Sequence, residues 1–271
     1  MLIHILHYVA FGGYLAAAGL LGLSFVRGSR DLPVGATLSL GVGFAAHAAG
    51  LVAYSIEWGE LPLVGLGPSL STLALIIALG ALGLATLRAV SPLGLVLLPL
   101  VVVLIGTAMW SGVRPSGEHL AFRGLWFALH VLFAMVGYAA LALAFAAGLM
   151  YLLQFRELKS KHFGAVFRFF PALDTLDRVG RRALLVGFPA LTLALVLGWA
   201  WTARFQHSLE VRNPKVLWGV LSWTIFVAAL LARKGSGRQG RRAALASVLG
   251  FALIVASYLW IRVQTPGAAF L

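Results

Sequence analysis

The sequence predicts an all-α integral membrane protein, with eight transmembrane helices, short connections and short interfacial helices. Hydrophobic residues make up 61% of its 271 residues, and charged residues only 11%. Several uninterrupted apolar stretches reach the ~20 residues with which a helix crosses the hydrocarbon core of a bilayer. A soluble domain of this length does not need so much apolar surface, so we expect a multi-pass membrane protein.

The first four spans are separated by short polar or helix-breaking connections. Span one lacks a basic leading segment and is followed by Arg27 and Arg30, which predicts a retained helix and not a cleaved signal. An acidic turn and a short glycine-rich interfacial segment follow span two, and Pro92 separates spans three and four. The predicted bounds are about 2–26, 34–56, 70–87 and 93–112.

The last four spans surround the only long polar segment, residues 156–182. This segment is a basic connection, and the helical spacing of its apolar residues predicts an amphipathic helix on the cytoplasmic surface. Span five is the longest, and Pro189 lies within span six. The predicted bounds are about 124–155, 183–203, 216–232 and 243–261, and the eight spans form a single domain over residues 1–271.

The positive charges predict the orientation of the chain. Of the 21 Lys and Arg residues, fifteen fall in the connections after spans one, three, five and seven. Since basic residues collect on the cytoplasmic side, both termini are expected to be extracytoplasmic, in the inner (cytoplasmic) membrane. The net charge of +13 therefore reflects topology and anionic lipid, and nucleic acid is excluded as a partner.

Histidine is the titratable side chain that lies deepest in the predicted spans. At 1.5 Å per residue, His47 of span two and His130 of span five lie about 14 Å and 10 Å from the outer ends. Such an imidazole can simply hydrogen-bond to a neighbouring helix, yet ionisable residues within spans are candidates for function. The chain has no cysteine and no mid-membrane carboxylate. Ligation of a non-covalent haem, with the two histidines as its metal ligands, is therefore a candidate function beside helix–helix hydrogen bonding.

Other residues near the outer surface are secondary candidates. The tryptophans concentrate there, and they form either an aromatic belt alone or a belt that also walls a flat aromatic ligand. The histidines that begin span one or lie in outer connections are expected to be solvated; they are His4, His7, His119 and His207. The predicted cofactor site accordingly combines His130 and His47 with Trp126, His7 and His207.

Three stretches of the second half resemble the cytochrome c assembly superfamily of membrane proteins. They are LWFALHVLFAMVGYAALALAFAAGLMYLLQFRELK, FPALDTLDRVGRRALLVGFPALTLALVLGWAW and NPKVLWGVLSWTIFVAALLAR. The pattern is closest to the HemX-like and YpjD-like members related to CcsA. Members of this superfamily handle haem: CcsA, with CcsB, moves haem outward and presents it to apocytochrome c, whereas HemX-like proteins are linked to the control of tetrapyrrole synthesis.

The resemblance implies roles for individual residues. His130 matches the external histidine that precedes the tryptophan-rich loop of CcsA, and His47 matches the second-span histidine of the small members. Where CcsA has a W-x-W-D-P-K-E loop, this chain has HSLEVRNPKVLW, and two further family histidines are absent. The resemblance therefore implies an accessory to haem delivery without autonomous activity, and not a complete haem lyase.

The predicted function is the binding of haem b in cytochrome c biogenesis or haem handling. One alternative is a HemX-like regulatory scaffold, in which the basic segment docks a soluble enzyme of tetrapyrrole synthesis. Another is a small-molecule membrane transporter. The expected partners are haem, the lipid bilayer, and a partner membrane protein or a soluble assembly factor.

Overall fold

The computed structural model describes residues 1–28, 33–115, 124–161, 164–205, 214–233 and 239–264. Within these ranges the chain is helical, with turns between the helices and no strand. A 3₁₀ turn at Ser91–Leu93 precedes the fourth helix. The α-helices are α1 (Leu2–Arg27), α2 (Val34–Trp58), α3 (Leu66–Ala85), α4 (Gly94–Ser111), α5 (Leu125–Ser160), α6 (Ala165–Phe169), α7 (Leu173–Phe205), α8 (Pro214–Leu231) and α9 (Gln239–Gln264).

Seven of the described helices are long and apolar enough to cross a membrane: α1, α2, α3, α4 with its preceding turn, α5, α7 and α9. Helix α8 is apolar over Val216–Leu231, but it is shorter than the others. The predicted class, an all-helical integral membrane protein, is therefore confirmed. The number of eight spans and the outward orientation of both termini stay predictions.

The structure joins two elements that the sequence analysis separated. The expected amphipathic helix and the sixth span form one helix, α7, which runs without a break from Leu173 to Phe205. No proline lies between Leu173 and Ala183, and extending an existing helix gains one hydrogen bond for each residue fixed, without the cost of a new nucleation. Pro189 is accommodated inside the same helix.

The helices pack as two groups. In the first, α1 packs on α2 and α4, and α3 packs on α2 and α4. In the second, α5 packs on α7 and α9, and α8 packs on the same two helices. The main contact between the groups is that of α3 with α5. Close approach depends on small residues: a Cβ on Gly13 of α1 would lie 2.8 Å from the backbone of Gly43 in α2.

Candidate functional site

The first group of helices encloses a polar cluster that contains two histidines. The ring centroids of His7 (α1) and His47 (α2) are 5.3 Å apart, with an interplanar angle of 70°. The Nε2 atoms of both rings lie within hydrogen-bond distance of the same atom, Ser71 Oγ of α3, at 2.9 Å for His7 and 2.8 Å for His47. All three residues are buried. The structure thus brings together two histidines that lie 40 residues apart.

The remaining ring nitrogens of this cluster are also hydrogen-bonded. His7 Nδ1 lies 2.8 Å from the carbonyl oxygen of Ile3, one turn earlier in α1. His47 Nδ1 lies 3.1 Å from the hydroxyl of Tyr14, which is fully buried between α1 and α2. Gly50 leaves room for His7, because a Cβ at that position would lie 3.0 Å from His7 Nδ1.

The Ile3 carbonyl fixes the direction of every hydrogen bond in this cluster. A carbonyl can only accept, so His7 Nδ1 is protonated and, in a neutral ring, Nε2 accepts. Ser71 then donates its single proton to His7 and accepts from His47 Nε2–H, which leaves His47 Nδ1 to accept from the Tyr14 hydroxyl. With both rings neutral, every ring nitrogen has a hydrogen-bond partner. The network ends on a carbonyl, which only accepts a hydrogen bond, and these contacts favour a structural role for both histidines.

The second group of helices holds His130 in a different way. His130 Nδ1 lies 2.6 Å from the carbonyl oxygen of Ala194 in α7, so Nδ1 carries the proton and donates it across the helix pair. Gly198, one turn further along α7, makes this contact possible: a Cβ there would lie 2.7 Å from Cε1 of the ring. The imidazole therefore lies directly against the backbone of α7.

The second nitrogen of His130 is available for a ligand. Since Nδ1 donates to Ala194, Nε2 is the nitrogen that carries the lone pair whenever the ring has a single proton, and no described residue hydrogen-bonds to it. The side chain is half-buried. Aromatic rings lie one turn away on the same pair of helices, where Phe127 of α5 and Trp201 of α7 have ring centroids 6.4 Å apart. Trp126 is more exposed, at 56%, and lies at the start of α5.

The two histidine regions fit a haem iron unequally. Histidines that ligate metals usually donate their other N–H to a carbonyl or carboxylate, and His130 does so through Ala194. The nitrogens of His47 and His7 are all occupied, and Ser71 Oγ fills the point on which both Nε2 atoms converge. Within the described ranges, no group of three or more His, Cys, Asp or Glu side chains could share a metal ion.

The structure does not bring His47 to His130. Helix α2 packs on α1 and α3, whereas His130 lies against α7 in the other group. The axial pair His130–His47 stays a prediction, and the contacts of His47 favour a structural role. The expectation that His7 is solvated is wrong, because the residue is 1% exposed. His4 is exposed, and His119 and His207 lie outside the described residues.

Sequence reasoning missed Tyr14 and Ser71, which complete the network of the first group. The signal was present in the third span, where Ser69, Ser71 and Thr72 interrupt an apolar run and are all buried. Buried hydroxyls within a span need partners, and side chains of neighbouring helices can supply them. Pairing Ser71 with His7 and His47 required the packing of three helices.

The fold and the two histidine regions define a multi-pass helical membrane protein with one imidazole presented between helices. The chain belongs to the cytochrome c assembly protein family, whose family model matches residues 43–268. It is similar to the cytochrome c biogenesis protein CcsA of Guillardia theta, with 27% identity over 162 residues that cover 54% of each chain.

Two cyanobacterial relatives extend the comparison. The CcsA protein of Synechococcus sp. strain CC9605 is 30% identical over 168 residues, which cover 54% of this chain and 55% of the relative. The CcsA protein of Synechococcus elongatus is 36% identical over 94 residues, which cover 35% of this chain and 29% of the relative. The chain thus spans about half the length, or less, of the curated relatives that it matches.

Proposed function

We propose that this protein binds haem non-covalently through His130 and acts in cytochrome c biogenesis. The family supports a place in that process, since the relatives are named as cytochrome c biogenesis proteins. One observation carries the haem assignment: the Nδ1–H of His130 is held by the Ala194 carbonyl, so Nε2 is oriented with its lone pair available. This is the arrangement in which imidazole ligates iron in haem proteins.

The proposed cofactor is haem b, because the chain has no cysteine to which a porphyrin could be attached covalently. Bound haem would supply an iron centre whose oxidation state and ligation the protein controls. The chain's own contribution is positional. Ala194 fixes the tautomer and the rotation of the ring, Gly198 sets how closely the ring approaches α7, and Phe127 with Trp201 provides an aromatic wall near it.

We propose an accessory role in haem delivery, in the cytoplasmic membrane, and not a complete haem lyase. The W-x-W-D-P-K-E loop of CcsA is replaced here by HSLEVRNPKVLW, and the chain matches only part of its curated relatives. A partner that supplies the missing features is therefore part of the proposal.

Absorption spectroscopy of the purified full-length protein tests the haem assignment. Protein expressed with adequate haem supply and isolated in mild detergent should show Soret and α bands, and the pyridine haemochrome should be of b type. His130→Ala should lose at least nine-tenths of the bound haem at equal protein concentration, and His130→Gly should regain the spectrum when imidazole is added. Such rescue requires a cavity at the ligand position in a folded protein.

His47→Ala is the matched control, since it removes a second intramembrane imidazole. If His47 has only a structural role, the folded fraction of this variant has the same haem spectrum as the wild-type protein. If His47 is the second axial ligand, its loss converts a low-spin spectrum to a high-spin one. Haem content that is unchanged in His130→Ala would disprove the proposal.

A further inference from the structure

Trp223 lies in the middle of α8, nine residues after Pro214, whereas tryptophans of membrane proteins usually collect at the interfaces. It contacts α7 in two ways. Its indole Nε1–H donates to Thr192 Oγ1 at 3.0 Å, and its ring lies against that of Phe188, with centroids 5.6 Å apart. Phe188 and Thr192 are four residues apart on one face of α7, so a single side chain of α8 contacts two successive turns of that helix.

Pro189 lies between the two residues that Trp223 contacts. Proline has no N–H, so α7 lacks the backbone hydrogen bond that residue 189 would otherwise donate to Leu185 O. A helix bends more easily at such a turn than where all its hydrogen bonds are present. The contacts of Trp223 lie on both sides of it, with Phe188 before the proline and Thr192 after it. The hydroxyl of Thr192 also donates to Phe188 O at 2.8 Å, across the same turn.

The half of α7 that follows Pro189 carries the contacts of His130. Ala194 O accepts from His130 Nδ1 at 2.6 Å, and Gly198 leaves the space for the ring. Thr192 precedes Ala194 by two residues, about 3 Å along the axis. Its hydroxyl contacts α8, whereas the Ala194 carbonyl contacts α5. Fixing Thr192 on α8 therefore fixes the height and the rotation of Ala194 relative to α5.

We propose that Trp223 is a positioning residue for the haem site: it stabilises α7 across Pro189 and so keeps the Ala194 carbonyl where it orients His130. This inference rests on the proposed function of His130 as a haem ligand. Trp223 acts through α7 and not by contact with the cofactor. The pair suits this role, because an indole N–H only donates and Thr192, whose own proton goes to a backbone carbonyl, accepts from it.

Two substitutions remove this contact from its two sides. Trp223→Phe keeps a ring against Phe188 and removes the donor, and Thr192→Val removes the acceptor at nearly equal volume. In haem-free protein in detergent, each should speed hydrogen exchange of backbone amides 190–198 about fivefold, the effect of one lost hydrogen bond, and leave amides 175–184 unchanged. Each should also weaken haem binding about fivefold in a titration followed by the Soret band.

Pro189→Ala supplies a test that a merely structural role of Trp223 would not pass. It restores the missing N–H, and residue 189 is exposed on the outside of the bundle. Because α7 then has its full set of backbone hydrogen bonds, Trp223→Phe in this background should change exchange and haem affinity by less than about twofold. The matched control is Thr224→Val of α8, whose hydroxyl donates to Val220 O of its own helix. It should leave both readouts unchanged.

Thermal unfolding in detergent should show that every variant is folded. Wild-type exchange and haem affinity in Trp223→Phe would overturn the proposal, and so would a loss that is equally large in the Pro189→Ala background. Weaker haem binding without faster exchange of amides 190–198 would mean that the indole contacts the haem itself, which also overturns it. A wild-type protein that binds no haem would disprove the proposed function, and the exchange measurement would still decide whether Trp223 stabilises α7.

Discussion

In the α1–α3 region every ring nitrogen of His7 and His47 has a hydrogen-bond partner, whereas His130 uses one nitrogen and keeps Nε2 without a partner among the described residues. The two regions also differ in burial, since His47 is fully buried and His130 is half-buried. Both hold imidazoles within apolar helices. The difference teaches that the depth of a histidine does not by itself distinguish a ligand from a structural residue, because the partners of its two ring nitrogens must also be known.

Among the substitutions that test this difference, that of His47 is expected to lower the free energy of unfolding most. His47→Ala removes a fully buried ring and leaves the Tyr14 hydroxyl and the Ser71 oxygen without their partners. The cavity and the lost hydrogen bonds should lower the free energy of unfolding by about 3 kcal/mol. Unfolding of the detergent-solubilised protein measures this. If His47→Ala lowers the free energy of unfolding as little as His130→Ala does, the hydrogen-bond network of His7, His47, Tyr14 and Ser71 is not structural.

Two serine substitutions test whether Ser71 stabilises the protein by bridging His7 and His47. Ser71→Ala leaves both histidine Nε2 atoms without a partner and should destabilise by about 2 kcal/mol. Ser69 is its matched control, because it is equally buried on α3 and makes one hydrogen bond, to Leu63 O. Ser69→Ala should therefore cost about 1 kcal/mol or less. Equal losses in the two variants would argue against the bridging role of Ser71.

Substitutions beside His130 are expected to change the affinity for haem more than the free energy of unfolding. In Gly198→Ala the added methyl would lie 2.7 Å from His130 Cε1, so the ring must move off α7 and lengthen its bond to Ala194. Haem affinity should fall about tenfold, or ~1.4 kcal/mol, in a titration followed by the Soret band. Gly219→Ala is a control in the same group, since its Cβ would meet only a leucine methyl. Equal haem affinity in the two variants would contradict the positioning role of Gly198.

The smallest expected loss of stability comes from removing the Tyr14 hydroxyl, which makes the last hydrogen bond of this network. Tyr14→Phe removes only the O–H that is donated to His47 Nδ1 and keeps the ring contact between the two side chains. Hydrogen bonds between membrane helices contribute about 0.6 kcal/mol on average, so the loss should be of that size. Chemical denaturation measures it, and a loss above about 2 kcal/mol would mean that the hydroxyl has a further partner.

The helices were predictable because length and apolar composition decide which segments cross a membrane. Counting residues from the ends of a span also gives depth, and by that measure His47 and His130 are comparable. The direction in which each side chain points depends on which helices are neighbours, and hydropathy does not contain that information. This is why the predicted partner of His47 was His130, whereas its observed neighbours are His7, Tyr14 and Ser71.

The break predicted between an amphipathic helix and the sixth span has a similar explanation. The charged residues Asp177, Arg178, Arg181 and Arg182 interrupt the hydropathy of the sequence, but they do not interrupt helical hydrogen bonding. The meeting of four polar side chains at one small cleft was also beyond prediction, because only the packing of the helices around α5 places Tyr151, Asp177, Arg233 and Ser247 together.

Helix α5 carries His130 near its start and Tyr151 twenty-one residues later. At 1.5 Å per residue, these side chains lie about 32 Å apart along the helix axis, close to the thickness of the hydrocarbon core. Because both belong to one continuous helix, a displacement of α5 along its axis would move both by the same distance. A shift that changes the height of the His130 imidazole would therefore also move Tyr151 relative to the first turns of α7 and α9.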